Sequence, residues 1–187
     1  MFATLVGKDG TVKGTRTYRA MPGSDALERE LRKQLEGAQF TPPIYNHQPA
    51  DVLLVGTLIF SVANEKPGVR IFLNQDPREL KQASDFIAPQ PVFGADSRFN
   101  GFNYPEQVGV RIRGIVDLGL DVDATGNLRK ASLLVEEPPL LGFADAAARD
   151  FAGAKFIPAF RDGDATESSI VYPVCYEPEW DVPTVAP

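Results

Sequence analysis

Between residues 110 and 122 the chain alternates. Val110, Ile112, Val116, Leu118, Leu120 and Val122 fall on even positions, and Arg111, Arg113, Asp117, Gly119 and Asp121 on odd ones. Alternation with period two predicts a strand with one face buried and one wet. A turn at Ala124-Thr125-Gly126-Asn127 follows, because Gly-Asn accepts positive φ. Leu128 to Val135, carrying Leu128, Leu133, Leu134 and Val135, reads as a second strand. Phe143, Ala147 and Phe151 then recur at four-residue steps, the stripe of an amphipathic helix. Ile170, Tyr172, Val174 and Tyr176 return to period two. The order is β-β-α-β.

The first part of the chain has the same order. A shift of 116 residues, with no gap, superposes Gly10 on Gly126, Pro22 on Pro138, Gly37 on Gly153, Ala38 on Ala154, Phe40 on Phe156 and Pro42 on Pro158. Phe2–Val6 is then a first strand, Lys8-Asp9-Gly10 a turn, Thr11 to Ala20 a second strand, and Leu27, Leu31 and Leu35 a helical stripe. Ser24 or Asp25 can cap that helix, and Asp25 with Glu28 has capping-box spacing. Val52, Leu54, Leu58, Phe60 and Val62 form the third strand. The best-matched stretches are Gly37-Ala38-Gln39-Phe40-Thr41-Pro42-Pro43 and Gly153-Ala154-Lys155-Phe156-Ile157-Pro158-Ala159. In each, glycine can end the helix in the left-handed conformation, the aromatic can plug the layer between helix and sheet, and proline stops the helix. The expected fold is α+β: two β-β-α-β units, each an antiparallel sheet with a helix packed on one face. The expected division is 1–75, a connector at 76–103, and 104–187.

Within the connector region, Val69–Leu73 reads as a further strand and Asp76 to Ser84 as a short helix with Pro77 in its first turn. Pro89 to Asn103, rich in Pro, Gly and Asn, reads as a linker or ordered surface loop. The tail, Glu177 to Pro187, carries three prolines and reads as extended. Pro173 cannot donate to a ladder, so the strand around it belongs at a sheet edge.

Composition narrows the function. With 187 residues, 43% hydrophobic and 24% charged, the chain has the make-up of a globular protein. A net charge of −6 argues against nucleic acid and against docking to anionic lipid. No stretch reaches the ~20 apolar residues of a membrane span. Met1 to Gly7 carries no basic region and is too short for a signal peptide. The single cysteine, Cys175, reads as a small residue within a strand. The single histidine, His47, reads as a surface turn residue. One His and one Cys cannot supply metal-ligand spacing. Asp121 to Gly126 superficially suggests a calcium loop, but Ser132 stands where the bidentate Glu is required. Asp145, Asp150 and Asp162 read as caps and surface charges. Nothing converges as nucleophile, acid and base, so the expectation is a non-enzyme with no cofactor.

One ordered set of motifs goes further. Tyr104-Pro105-Glu106, Gly114-Ile115-Val116-Asp117-Leu118, Asp123-Ala124-Thr125-Gly126, Ala146-Ala147-Ala148, Lys155-Phe156-Ile157-Pro158-Ala159, Asp162-Gly163 and Pro173-Val174-Cys175-Tyr176 together resemble the C-terminal domain of the TonB family of energy transducers, a TonB/TolA-like fold. The first copy resembles it more loosely, through Asp9-Gly10-Thr11-Val12 and Phe40-Thr41-Pro42-Pro43, and lacks the Tyr-Pro opening. The resemblance implies that Tyr104, Pro105, Gly126, Phe156, Pro158, Phe40 and Pro42 are structural. It also implies a periplasmic protein-interaction module whose partner is a protein or peptide, such as a segment of an outer-membrane transporter. In relatives that segment adds a strand to a sheet edge, where backbone hydrogen bonds supply the affinity. The matching strand is Ser168 to Tyr176, with Ser168, Ser169, Ile170, Val171, Tyr172, Val174 and Tyr176 as partner-binding residues. The family's membrane helix and Pro-rich spacer are not in this sequence. Two alternatives are a structural protein whose edges are used internally or in a homodimer, and a small-molecule binder in a cleft between the copies.

Overall fold

The alternating stretch forms the middle strand of a three-stranded antiparallel sheet. In the computed structural model, which describes residues 1–18, 22–63, 65–73, 86–94, 96–105 and 112–178, β9 (Gly114–Val122) lies between β10 (Leu128–Glu137) and β14 (Ser168–Tyr176). Val116, Leu118, Leu120 and Val122 are buried, and the residues between them are half-buried. Helix α2 (Phe143–Asp150) brings Phe143, Ala146 and Ala147 into the same core as this even-numbered face. The expected residues Val110 and Arg111 lie outside the described residues.

A larger sheet holds the first half. β1 (Phe2–Val6) is flanked by β2 (Val12–Thr17) and the long β5 (Asp51–Ala63). Helix α1 (Asp25–Glu36) buries Leu31 and Leu35 against Phe2. Leu27, expected in the same stripe, is 46% exposed. The end of the expected second strand, Ala20, lies outside the described residues.

The 116-residue shift carries over to the backbone. β1 pairs Phe2 with Thr17 and Leu5 with Gly14, and β9 pairs Leu118 with Leu133 and Asp121 with Lys130. The bulge recurs, skipping Lys13 in β2 and Arg129 in β10. Phe2↔Gly56 and Val6↔Val52 in the first sheet correspond to Leu118↔Tyr172 and Val122↔Ser168 in the second. Isolated bridges Thr11↔Gln39 and Asn127↔Lys155 are also related by the shift. So are the bonds from Phe40 N–H to Gly10 O and from Phe156 N–H to Gly126 O, both 2.9 Å.

Each half also contains a short hairpin between helix and third strand that the hydrophobic pattern did not reveal. β3 (Ile44–Tyr45) pairs with β4 (Gln48–Pro49), and β12 (Ala159–Arg161) with β13 (Asp164–Thr166). Both central residues of each turn have positive φ, Asn46 and His47 in one and Asp162 and Gly163 in the other. That is the geometry of a two-residue hairpin loop.

The connector departs most from expectation. Pro89 to Asn103 is neither linker nor surface loop. β8 (Gln90–Phe93) bonds to β5 on one side and to β11 (Phe156–Ile157) on the other, and β7 (Phe86–Ile87) pairs with β12. Phe86, Phe93, Phe99 and Phe102 are buried. Phe99 stacks on Phe151 at 5.2 Å and meets Phe93 edge-on at 4.9 Å. One core therefore runs through both halves, joining Ala3, Leu5, Leu53 and Val55 to Leu118, Leu120 and Tyr172. The extra strand near Val69 is β6 (Lys66–Leu73), hairpin partner of β5 from Gly56 to Ala63. The expected helix Asp76–Ser84 and the tail beyond Pro178 lie outside the described residues.

Candidate interaction edge

The residues proposed to meet a partner lie on β14, the end strand of the order β10-β9-β14. They divide into two groups. Tyr172, Val174 and Tyr176 are buried to within 1% and belong to the core shared with α2. Tyr176 stacks on Phe143 at 5.5 Å, and Phe151 meets Tyr172 edge-on at 5.3 Å. Burial holds the Tyr172 hydroxyl well above its ordinary pKa. Pro173 and Cys175 are buried too. The side chains of Tyr172, Val174 and Tyr176 therefore hold the fold and are closed to a partner.

The other end of the strand is open. Ser169 is exposed, Val171 is 48% exposed, and Ser168 is half-buried, with Ile170 between them pointing into the core. Ser169 Oγ donates to Asp121 Oδ1 on the neighbouring strand (2.6 Å). Ser168 and Ser169 line a shallow, polar cavity with Asp121, Asp123 and Arg129, where Arg129 pairs with Asp123 at 2.6 Å. Asp123 Oδ1 also accepts from Thr125 Oγ1 (2.7 Å) and from the backbone N–H of Thr125 and Asn127 (both 2.9 Å). These donors, Thr125 first, hold the Asp123 carboxyl well below the usual carboxylate range. The loop is closed by its own residues, as an Asx turn.

β14 is held in place by a buried polar knot. Asp150, at the end of α2, accepts from Tyr176 Oη (2.7 Å), from Asn103 N–H (3.0 Å) and from Asn103 Nδ2 (2.7 Å). Burial pushes its carboxyl up, and the three donors oppose that shift only in part. Asp150 was expected to be a cap or surface charge. It is instead the tie between α2, β14 and the connector. The missed signal was Asn103, which follows a run of Gly and aromatic residues.

The residues given a structural role differ in how far they are buried. Phe156 is fully buried beside Phe151 (6.1 Å, nearly parallel rings), Gly126 is buried with φ of 82°, and Pro105 is buried. Tyr104 packs edge-on to Phe143 at 5.7 Å, and its hydroxyl donates to Ile112 O and accepts from Ile112 N–H. Phe40 and Pro158 are half-buried, and Pro42 is exposed. His47 stands at a hairpin tip, and Asp145 and Asp162 are exposed. Among the described residues no group of His, Cys, Asp and Glu is placed to hold a metal. No described helix is long and apolar enough to cross a membrane.

No protein-family model, curated protein or solved structure matches the chain.

Proposed function

We propose that the chain is a non-enzymatic protein-interaction module made of two copies of one β-β-α-β unit, and that a partner segment adds as a strand along the outer edge of β14 at Ser168 to Val171. The observation that carries this reading is internal. β5 is the counterpart of β14 under the 116-residue shift, and its outer edge pairs with β8 at Asp51 and Val52 and with β6 from Gly56 to Ala63. The chain thus adds strands to most of one such edge from within itself, and among the described residues the same edge of the second unit ends its sheet. An edge of this kind offers backbone donors and acceptors in a row, which is what a strand-adding peptide uses. Specificity then comes from alternate side chains, with Ser169 and Val171 facing out of the core.

The resemblance to the TonB C-terminal domain supports a periplasmic setting and an extended segment of an outer-membrane transporter as the partner. The test is a titration of extended peptides from transporter N-termini, followed by backbone amide shifts. Shifts clustered on Ser168 to Val171 are expected. Shifts that never reach this strand would remove the reading.

A homodimer is the second reading. It is favoured by the apolar side chains exposed on this sheet, namely Leu133, Leu134, Val135 and Val171. A molecular mass that rises with concentration, together with loss of peptide binding at high concentration, would select it. A small-molecule cleft between the halves has no such support. Phe86, Phe93, Phe99 and Phe102 fill that region as core.

A further inference from the structure

Asn100 and Gly101 form the one Asn-Gly dipeptide in the chain. They lie in the connector between two buried rings, Phe99 and Phe102, whose centroids are 5.6 Å apart. Asn100 is exposed, and Gly101 is buried with φ of 115°. An asparagine side chain can close a five-membered ring on the backbone nitrogen of the next residue. A Cβ on that next residue crowds the closure, and glycine has none. The other asparagines are followed by His47, Glu65, Gln75, Tyr104 and Leu128.

A second feature bears on the same carboxamide. Asn103 Nδ2 donates to Asn100 Oδ1 at 3.2 Å and to Asp150 Oδ1 at 2.7 Å. Asp150 thus fixes the Asn103 amide, and that amide points a donor at the oxygen on which negative charge develops when Asn100 Cγ is attacked. A donor held at such an oxygen lowers the barrier. Asn100 is in this way joined to the buried tie between α2, β14 and the connector.

We propose that Asn100 is a site of self-modification, in which the Gly101 backbone nitrogen attacks Asn100 Cγ. The N–Cγ bond forms, the Cγ–Nδ2 bond breaks, and the Gly101 amide proton leaves with Nδ2 as ammonia. Water then opens the cyclic imide. Cleavage of the new N–Cγ bond gives aspartate. Cleavage between that nitrogen and the Asn100 carbonyl carbon gives isoaspartate, in which the main chain runs through Cβ and Cγ. Water is the only co-reactant. Either product adds one negative charge, so the net charge of −6 becomes −7. Isoaspartate also lengthens the main chain by one carbon between two rings that are packed elsewhere, Phe99 on Phe151 and Phe102 edge-on to Tyr176 at 6.2 Å. The new carboxylate and the longer chain both act on Asn103, which bridges residue 100 to the Asp150 carboxyl. Modification therefore loosens the tie that holds β14 to α2.

The test ages the full 1–187 chain in mildly alkaline buffer and follows the tryptic peptide Phe99–Arg111 by mass. Replacement of NH2 by OH at residue 100 is expected, with separate aspartate and isoaspartate forms and a more acidic charge variant of the whole chain. Asp9-Gly10 and Asp162-Gly163 can close the same ring, but they lose and regain water and return to their starting mass. The converted chain, separated by charge, should unfold at lower urea than the fresh chain. Asn100→Gln keeps the amide and must close a six-membered ring, so it should start at the unfolding midpoint of the fresh chain and lose both the conversion and the decline. A Phe99–Arg111 peptide that keeps its mass, or conversion confined to Asn103, would overturn the site. Conversion at Asn100 with an unchanged urea midpoint would overturn its link to the Asp150 tie.

Discussion

Gly126 sits directly beneath the carbonyl of Phe156. A Cβ at 126 would stand 2.0 Å from that oxygen, and one at Gly10 would stand 2.1 Å from the carbonyl oxygen of Phe40. In both places the glycine also has positive φ, and its own carbonyl accepts from the aromatic residue's N–H. The turn between the first two strands is thus stitched to the chain leaving the helix, once in each half. This contact explains why glycine and aromatic recur at the same spacing.

Gly126→Ala should destabilise the protein by about 3 kcal/mol or more, because a backbone oxygen cannot step aside and the conformation is strained for any side chain. Gly163→Ala is the control. It shares the positive φ, at 90°, but has no atom within 4 Å of the added Cβ, so about 1 kcal/mol is expected. Urea unfolding midpoints of the two variants check the difference.

Gly114 and Phe143 form a second steric pair. Gly114→Ala alone should cost about 1–3 kcal/mol through overpacking against the ring. Phe143→Leu alone should cost about 1 kcal/mol or more by opening a cavity. The double variant should be less destabilised than the sum, since leucine is the residue the first half carries at this place. A double-mutant cycle in urea measures that coupling; strict additivity would count against direct packing.

Asp150 makes stability depend on pH. Its carboxyl is raised in the fold, first by burial, so the folded protein holds the proton more tightly than the unfolded chain. Its contribution is full below the ordinary carboxylate pKa and declines as pH rises through the raised value. Asp150→Asn should flatten that decline while its amide oxygen keeps an acceptor for Tyr176 Oη and the Asn103 N–H. Unfolding free energies compared between pH 4 and pH 8 read the effect. Asp123 acts with the opposite sign. Its carboxyl is lowered by Thr125 and Asn127, so its contribution is present above the ordinary pKa and lost as pH falls through the lowered value.

Phe156→Ala should cost about 3–5 kcal/mol, since the ring is fully buried in the shared core. Phe40→Ala should cost clearly less, since Phe40 is half-buried between the two small clusters around Val52 and Leu31. Equal costs would show that Phe40 closes its layer as fully as Phe156 does.

Val171→Lys tests the edge. The residue is 48% exposed, so stability should change by no more than about 0.5 kcal/mol. Strand addition should weaken about tenfold, because lysine on an edge discourages pairing. Unchanged affinity in the amide titration would place the partner elsewhere.

Much of this was legible in the order of residues. Period two from Val116 to Val122 and at Ile170 to Tyr176 marked buried faces, and helical spacing marked Phe143, Ala147 and Phe151, because burial on one face leaves a period in the side chains. The gapless 116-residue spacing of Gly10, Phe40, Gly126 and Phe156 was also there to read, since a steric contact between a glycine and a carbonyl admits no substitute. The turn at Asp162-Gly163 was legible as well, through a dipeptide whose φ preference is strong. Tertiary structure decided the rest. Pro89 to Asn103 has loop composition, yet its first residues pair with β5 and β11 and its aromatics close the core, since edge pairing is made by backbone groups that leave no pattern in sequence. Leu27 carries the same helical period as Leu31 and is left half-open, because what covers a stripe depends on a neighbouring strand. The outward end of β14 belongs to that second class: periodicity says which way a side chain faces, and only the packed chain says which edge has been filled.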